Sequence, residues 1–188
     1  VWERIVNAAK GAALGTDTRV EVEITGGVHD LLPNETLAKA MYANLKEVGG
    51  YTMNDEEKAF GVEIQKSFTG KVPSLSSTQE IEPYQLREGS ASTDVGDVSW
   101  VVPTVGMSAA TWVPGTAAHS WQAVAAGGTS IGMKGMMIAA KSMALMAVDL
   151  YTNPSLLAES WKEFKAKTGD FKYEALIGDR PPALDYRK

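Results

Sequence analysis

A chain of 188 residues is long enough for one ordinary domain with its own core, or one domain plus part of another. With 44% hydrophobic and 22% charged residues it has the composition of a soluble globular protein, and a net charge of −5 gives no electrostatic reason to expect nucleic acid or an acidic membrane surface. The lack of cysteine excludes a disulfide scaffold, a thiolate nucleophile and a cysteine-ligated zinc site.

The sequence opens on "VWERIV", without a methionine and already in a helical pattern, which predicts a segment cut from something longer. Trp2, Ile5, Val6 and Ala9 fall at helical spacing, so a helix is expected to fade near Leu14 or Gly15. Val20, Val22 and Ile24 alternate with Arg19, Glu21 and Glu23, the pattern of a half-buried strand closed by Gly26 and Gly27. These two elements cannot bury a core by themselves. A second helix starts after Asn34, an N-cap residue, with Leu37, Met41, Leu45 and Val48 as its apolar stripe and Gly49-Gly50 as its end. A third starts at Asn54, which with Glu57 resembles a capping box; Phe60, Ile64 and Phe68 face inward.

Residues 71–97 are rich in proline, serine and threonine, the composition of a long and therefore mobile or functional loop. "VSWVV" and "VGMSAATWV" read as two strands separated by Pro103. A methionine-rich helix runs from about Gly132 to Tyr151. Its Lys134, Lys141 and Asp149 interrupt it too often for a membrane span, and its methionines are expected to pack within the protein. The last helix opens with Asn153 as N-cap and Pro154 at its first position and presents Leu157, Trp161 and Phe164 on one face. "YEALI" near the end is strand-like. No Lys/Arg-rich segment precedes an apolar run at the N-terminus; with the absence of cysteine this predicts a cytoplasmic location. The mixture of strands and long helices predicts a layered α/β fold.

Several stretches carry candidate chemistry. "GGTSIGMKG" superficially matches a phosphate-binding loop, but Met133 stands where the lysine is needed and Gly135 replaces the metal-binding hydroxyl, which leaves a glycine-rich entry into a helix. Ser90, Ser92 and Asp94 could join His29 or His119 in a serine hydrolase, yet no G-x-S-x-G turn is present. His29 lies at a strand-to-helix junction, a structural or surface position. His119, in "PGTAAHSWQ", lies in a loop after an expected strand, the place where ligands gather in α/β folds. One histidine does not make a metal site, because two to four ligands must converge.

Taken as whole runs, "VWERIVNAAKGAALGTDTRVEVEITGGVHDLLPNETLAKAMYANLKEVG" and "STDVGDVSWVVPTVGMSAATWVPGTAAHSWQAVAAGGTSIGMKGMMIAAKSMA" resemble the C-terminal half of the M20 metallopeptidase/amidohydrolase family, nearest its aminobenzoyl-glutamate-cleaving branch. "STDVGDVSW" and "GTAAHSWQ" are the most specific pieces. The resemblance implies a three-layer α/β metallopeptidase-type catalytic domain interrupted by an inserted α+β lid that mediates dimerisation. On that plan residues 1–28 are the end of the lid and residues 29–188 the C-terminal half of the catalytic domain. Members hold two divalent metals, commonly zinc or manganese, that activate a water for attack on an amide carbonyl, with a glutamate as general base.

The resemblance makes His119 the last metal ligand. The other ligands and the general-base glutamate would lie before Val1, so no catalytic residue is expected in this chain and it should bind no metal by itself. Gly115 and Thr116 match the adjoining loop, and Thr93 and Asp94 match a second loop that approaches the site. Met133 departs from the pattern, since many relatives carry histidine there. The implied reaction is cleavage of an amide bond to an amino acid, p-aminobenzoyl-glutamate giving p-aminobenzoate and glutamate. The implied partners are that small amide substrate, the missing N-terminal half, and a second copy or homologous subunit docked through the lid; nucleic acid and membrane are not among them. A reading from another class is a non-catalytic scaffold or binding subunit that completes a site with a separate polypeptide.

Overall fold

The computed structural model describes residues 1–86, 89, 91–181 and 184. Along them run α1 (Trp2–Gly15), α2 (Glu35–Val48), α3 (Asp55–Gln65), a 3-10 turn (Leu75–Gln79), α4 (Val95–Ser99), α5 (Trp121–Gly127), α6 (Ser130–Thr152) and α7 (Pro154–Thr168). Polar caps set the helix starts as their sequences dictate. Asn34 Oδ1 accepts from the Leu37 N–H at 3.0 Å. Asn54 and Glu57 form a reciprocal capping box, each bond 2.8 Å. Asn153 accepts from the Leu156 N–H, with Pro154 in the first turn. Each cap satisfies a backbone donor that the helix itself cannot.

The core has two parts. Leu37 and Met41 of α2 meet Met146 of α6, with Val105, Met107, Leu150 and Leu156 packed around them. Met53, Ile64, Val113, Ala126 and Ile131 form the other cluster, flanked by Tyr51, Phe60, Phe68 and Leu75. Helix α6 therefore touches both, and α2, α5 and α7 pack against it. Gly135 permits one of these approaches: a Cβ there would lie 2.3 Å from the Ala110 carbonyl oxygen, so only glycine lets the 103–113 segment lie on the helix.

Helix α7 supplies the start of α2 with acceptors. Glu163 accepts from the Glu35 N–H at 2.7 Å and from the Thr36 N–H and hydroxyl at 2.8 and 2.6 Å, and Lys167 donates to it at 2.8 Å. Burial opposes the charge on Glu163, but the bonds from Lys167, Thr36 and the Glu35 backbone outweigh it and bring the carboxyl from 4.5 to about 2. A depressed carboxylate stabilises the fold in full above its unfolded value, and that contribution is lost as the pH falls through the folded one. Glu163→Ala is therefore expected to cost about 1–3 kcal/mol at neutral pH and to flatten the loss of stability between pH 4.5 and about 2. Urea unfolding at a series of pH values measures both.

Three expectations are corrected. No β-strand occurs among the described residues, so the layered α/β arrangement is not seen in this chain. Val20, Val22 and Ile24 are all exposed, because no described residue covers the face that their alternation marks out. "VSWVV" falls largely in and just after α4 instead of a strand. The 105–113 segment does alternate, with Val105, Met107, Ala109 and Thr111 partly buried between exposed neighbours. It has strand-like burial without a partner, and a strand exists only through a hydrogen-bonded ladder. "YEALI" is likewise no strand.

The second correction concerns the methionines. Met133, Met136, Met137 and Met143 are exposed, at 59%, 55%, 49% and 54%, and only Met146 is buried. They lie on exposed parts of α6, and Met133 and Met137 border a surface pocket with Val48, Gly50 and Tyr51. Third, α6 is in fact long and apolar enough, by length and composition, to cross a membrane. Its polar residues are nevertheless used within the fold: Lys134 pairs with buried Glu57 at 2.6 Å, and Asp149 accepts from Asn44 at 2.7 Å.

Candidate functional site

The loop "PGTAAHSWQ" joins the 105–113 segment to α5. It turns at Gly115, where φ is +94° and where a Cβ would lie 2.8 Å from Pro73 Cδ and 3.1 Å from Phe68 Cε2. Both the backbone angle and the contact demand glycine. The Thr116 N–H returns to the Val113 carbonyl at 3.1 Å. The Thr116 hydroxyl is buried without a hydrogen-bond partner, so an unused polar atom sits three residues from His119. Ser120 then caps α5, accepting from the Ala123 N–H at 3.2 Å.

His119 itself has φ +58°. A side chain in the left-handed region costs on the order of 1–2 kcal/mol, and such residues collect where the surroundings impose them for a purpose. Its side chain is exposed and makes no hydrogen bond among the described residues. The imidazole is thus free to receive something from outside the chain. Among the described residues no three His, Asp or Glu side chains converge. A single imidazole is one donor, where a zinc centre takes three or four protein ligands.

Thr93 and Asp94 lie on a separate loop, at the start of α4. Thr93 Oγ1 accepts from the Val95 N–H at 3.3 Å, and Asp94 begins α4 without capping it by its side chain. That helix is held by residues 29–32: Asp97 accepts from the His29 N–H at 3.0 Å, and Ser99 Oγ from the Leu32 N–H at 2.8 Å. The His119 loop is held instead by the end of α3. Gly115, Thr116 and His119 therefore share one loop, with Thr93 and Asp94 supported elsewhere.

His29 is structural. Its ring lies among Trp100, Phe171 and Tyr173, at centroid distances of 6.2, 5.7 and 5.6 Å, and its Nε2 is 3.1 Å from the Glu174 carbonyl. Ser90 lies outside the described residues; Ser92 is exposed, and with His29 engaged in this cluster it has no base from that side. The glycine-rich "GGTSIG" stretch ends α5 and starts α6, with Thr129 as cap, the helix entry expected of it.

The groups that hold the loop leave no sign in the sequence. Gln65 Nε2 donates to the Pro73 carbonyl at 2.9 Å and to the Pro114 carbonyl at 3.0 Å. Gln122 Nε2 donates to Ser67 Oγ at 3.1 Å. No local pattern marks these residues, since their partners are distant in sequence.

Two known proteins are similar to the chain over most of its length. No family model and no solved structure matches the chain. One named subunit of the p-aminobenzoyl-glutamate hydrolase of Escherichia coli (strain K12) is 36% identical over 202 residues, which cover 94% of this chain and 42% of that protein. The Xaa-Arg dipeptidase of Mus musculus is 29% identical over 161 residues, covering 84% of this chain and 30% of the relative. The chain thus spans about two fifths of the length of the first and less of the second.

Proposed function

Since the chain belongs to the M20 metallopeptidase family, we propose that it forms part of a metal-dependent amidohydrolase that cleaves an amide bond to an amino acid. The substrate proposed is p-aminobenzoyl-glutamate, released as p-aminobenzoate and glutamate. His119 supplies one ligand to a centre of two zinc or manganese ions, whose other ligands and general-base glutamate lie outside this chain. When bound, the ions supply an activated water; this chain contributes the imidazole and the shape of its loop. Gly115 and Thr116 border the ligand, and Thr93 and Asp94 reach the same pocket from their own loop.

The observation that carries this reading is His119 held at φ +58° with an exposed and unbonded imidazole. The exposed alternating faces at 20–24 and the unpartnered 105–113 segment support pairing with strands outside this chain into a three-layer domain, with residues 1–28 as the end of a lid and 29–188 as catalytic domain. By itself the chain is inactive. A relative named as one subunit of its hydrolase favours one second reading, a non-catalytic subunit that completes a site with a partner chain. The coding sequence upstream of Val1 separates the two: His, Asp and Glu ligands encoded there support the hydrolase, whereas translation starting near Val1 supports the non-catalytic role.

A further inference from the structure

We propose that Gln65 and Gln122 are positioning residues that hold the His119 loop in its left-handed turn; the importance of that turn rests on the ligand role given to His119 above, but the clamp itself is a matter of geometry. Two anchors bracket the loop, at Pro114 and at Gln122, and both are set on the C-terminal end of α3. At the first, one Gln65 amide group spans two carbonyls, those of Pro73 and Pro114, at 2.9 and 3.0 Å. At the second, Gln122 Nε2 reaches Ser67 Oγ at 3.1 Å, and Ser67 in turn donates to the Ile64 carbonyl at 2.6 Å.

Between the anchors the chain is packed and closed on itself. Gly115 lies against Phe68 and Pro73 with no room for a Cβ. The Thr116 N–H closes a turn onto Val113, and Ser120 both donates to the Ala117 carbonyl at 2.7 Å and caps α5. His119 itself makes no side-chain bond, so nothing in its own side chain enforces its positive φ. The strain must be held by the anchors on either side. Gln65 has the distinctive role, because it joins carbonyls from two segments that are 41 positions apart in sequence, at Pro73 and Pro114. A carboxylate in its place would face two acceptors, and an alkyl group would leave both unbonded.

The chain has two histidines, His29 and His119, which makes His119 easy to assign by NMR in the 188-residue chain labelled uniformly with nitrogen-15. A positive φ gives a strong intraresidue HN–Hα Overhauser effect. Gln65→Leu is expected to keep the helix signal, to weaken that effect at His119, and to speed exchange of the Thr116 amide, which donates to the Val113 carbonyl, by about tenfold, the equivalent of one to two ordinary hydrogen bonds. Gln122→Ala should act in the same direction and less strongly. If Gln65→Leu lowers the helix signal, Gln65→Asn, polar but one methylene too short to span both carbonyls, carries the same readout. An unchanged Overhauser effect and unchanged exchange in a folded Gln65 variant would overturn the proposal. A clamp that behaves as expected, together with unimpaired hydrolysis by His119→Ala in the complete enzyme, would leave the clamp standing and remove the ligand role.

Discussion

Lys134→Met is expected to destabilise the protein by about 3 kcal/mol, the lower end of the cost of breaking a buried ion pair. Glu57, in the first turn of α3, is 4% exposed. It accepts from Lys134 at 2.6 Å, from Ser130 at 2.6 Å and from the Asn54 N–H at 2.8 Å. Burial would raise its carboxyl; the bonds to Lys134, Ser130 and Asn54, with the Lys134 charge, outweigh it and lower the carboxyl below its usual range. Removing Lys134 leaves a charged group buried with two donors in place of three, which is why the loss falls at the low end.

The Glu57 network ties α3 to the start of α6, and the start of α6 belongs to the core cluster that includes Val113, one residue before the candidate loop. Urea unfolding followed by helix signal measures the cost. The double variant Glu57→Leu/Lys134→Met should recover part of it, because an apolar pair no longer strands a charge.

His119→Ala is expected to lower amide hydrolysis by more than about a hundredfold in the complete enzyme that contains this chain. Replacing groups that merely orient metal ligands costs roughly 10- to 100-fold, and removing a ligand itself should cost more. The fold should be almost untouched, since the imidazole is exposed and makes no hydrogen bond. Alanine still carries the strain of a positive φ, so His119→Gly separates the two effects: it should relieve the backbone and leave the enzyme as inactive as alanine does. Turnover and metal content measured on the purified variants test this. Retained activity with retained metal would remove His119 from the centre.

Local chemistry was legible in the sequence. Asn34, Asn54 and Asn153 announce helix starts because a cap and its N–H lie within three residues of each other. The expected strands are missing among the described residues for a physical reason: alternation at Val20, Val22 and Ile24 marks a two-residue period, but a strand exists only through a hydrogen-bonded ladder with a partner. Helix α5 escaped notice because seven residues, mostly small, with glycine at their end carry too little periodicity to register. The helical spacing of the α6 methionines points to an interior face, but spacing does not say whether a partner is present on that side.

The site was legible only in part. His119 stood out through the motif around it, whereas Gln65 has no signal at all: its bond to Pro114 spans 49 positions, and a glutamine near a helix end is otherwise unremarked. Met133 occupies an exposed position on α6; the resemblance leads one to expect histidine there, and nothing in the structure gives that difference a consequence.

The central claim is that this chain brings one ligand to a centre completed by residues it does not contain. Incubating the 188-residue chain with p-aminobenzoyl-glutamate and either zinc or manganese tests it most directly. The expected result is no release of p-aminobenzoate beyond that given by the metal alone; metal-dependent turnover by the chain itself would contradict the claim.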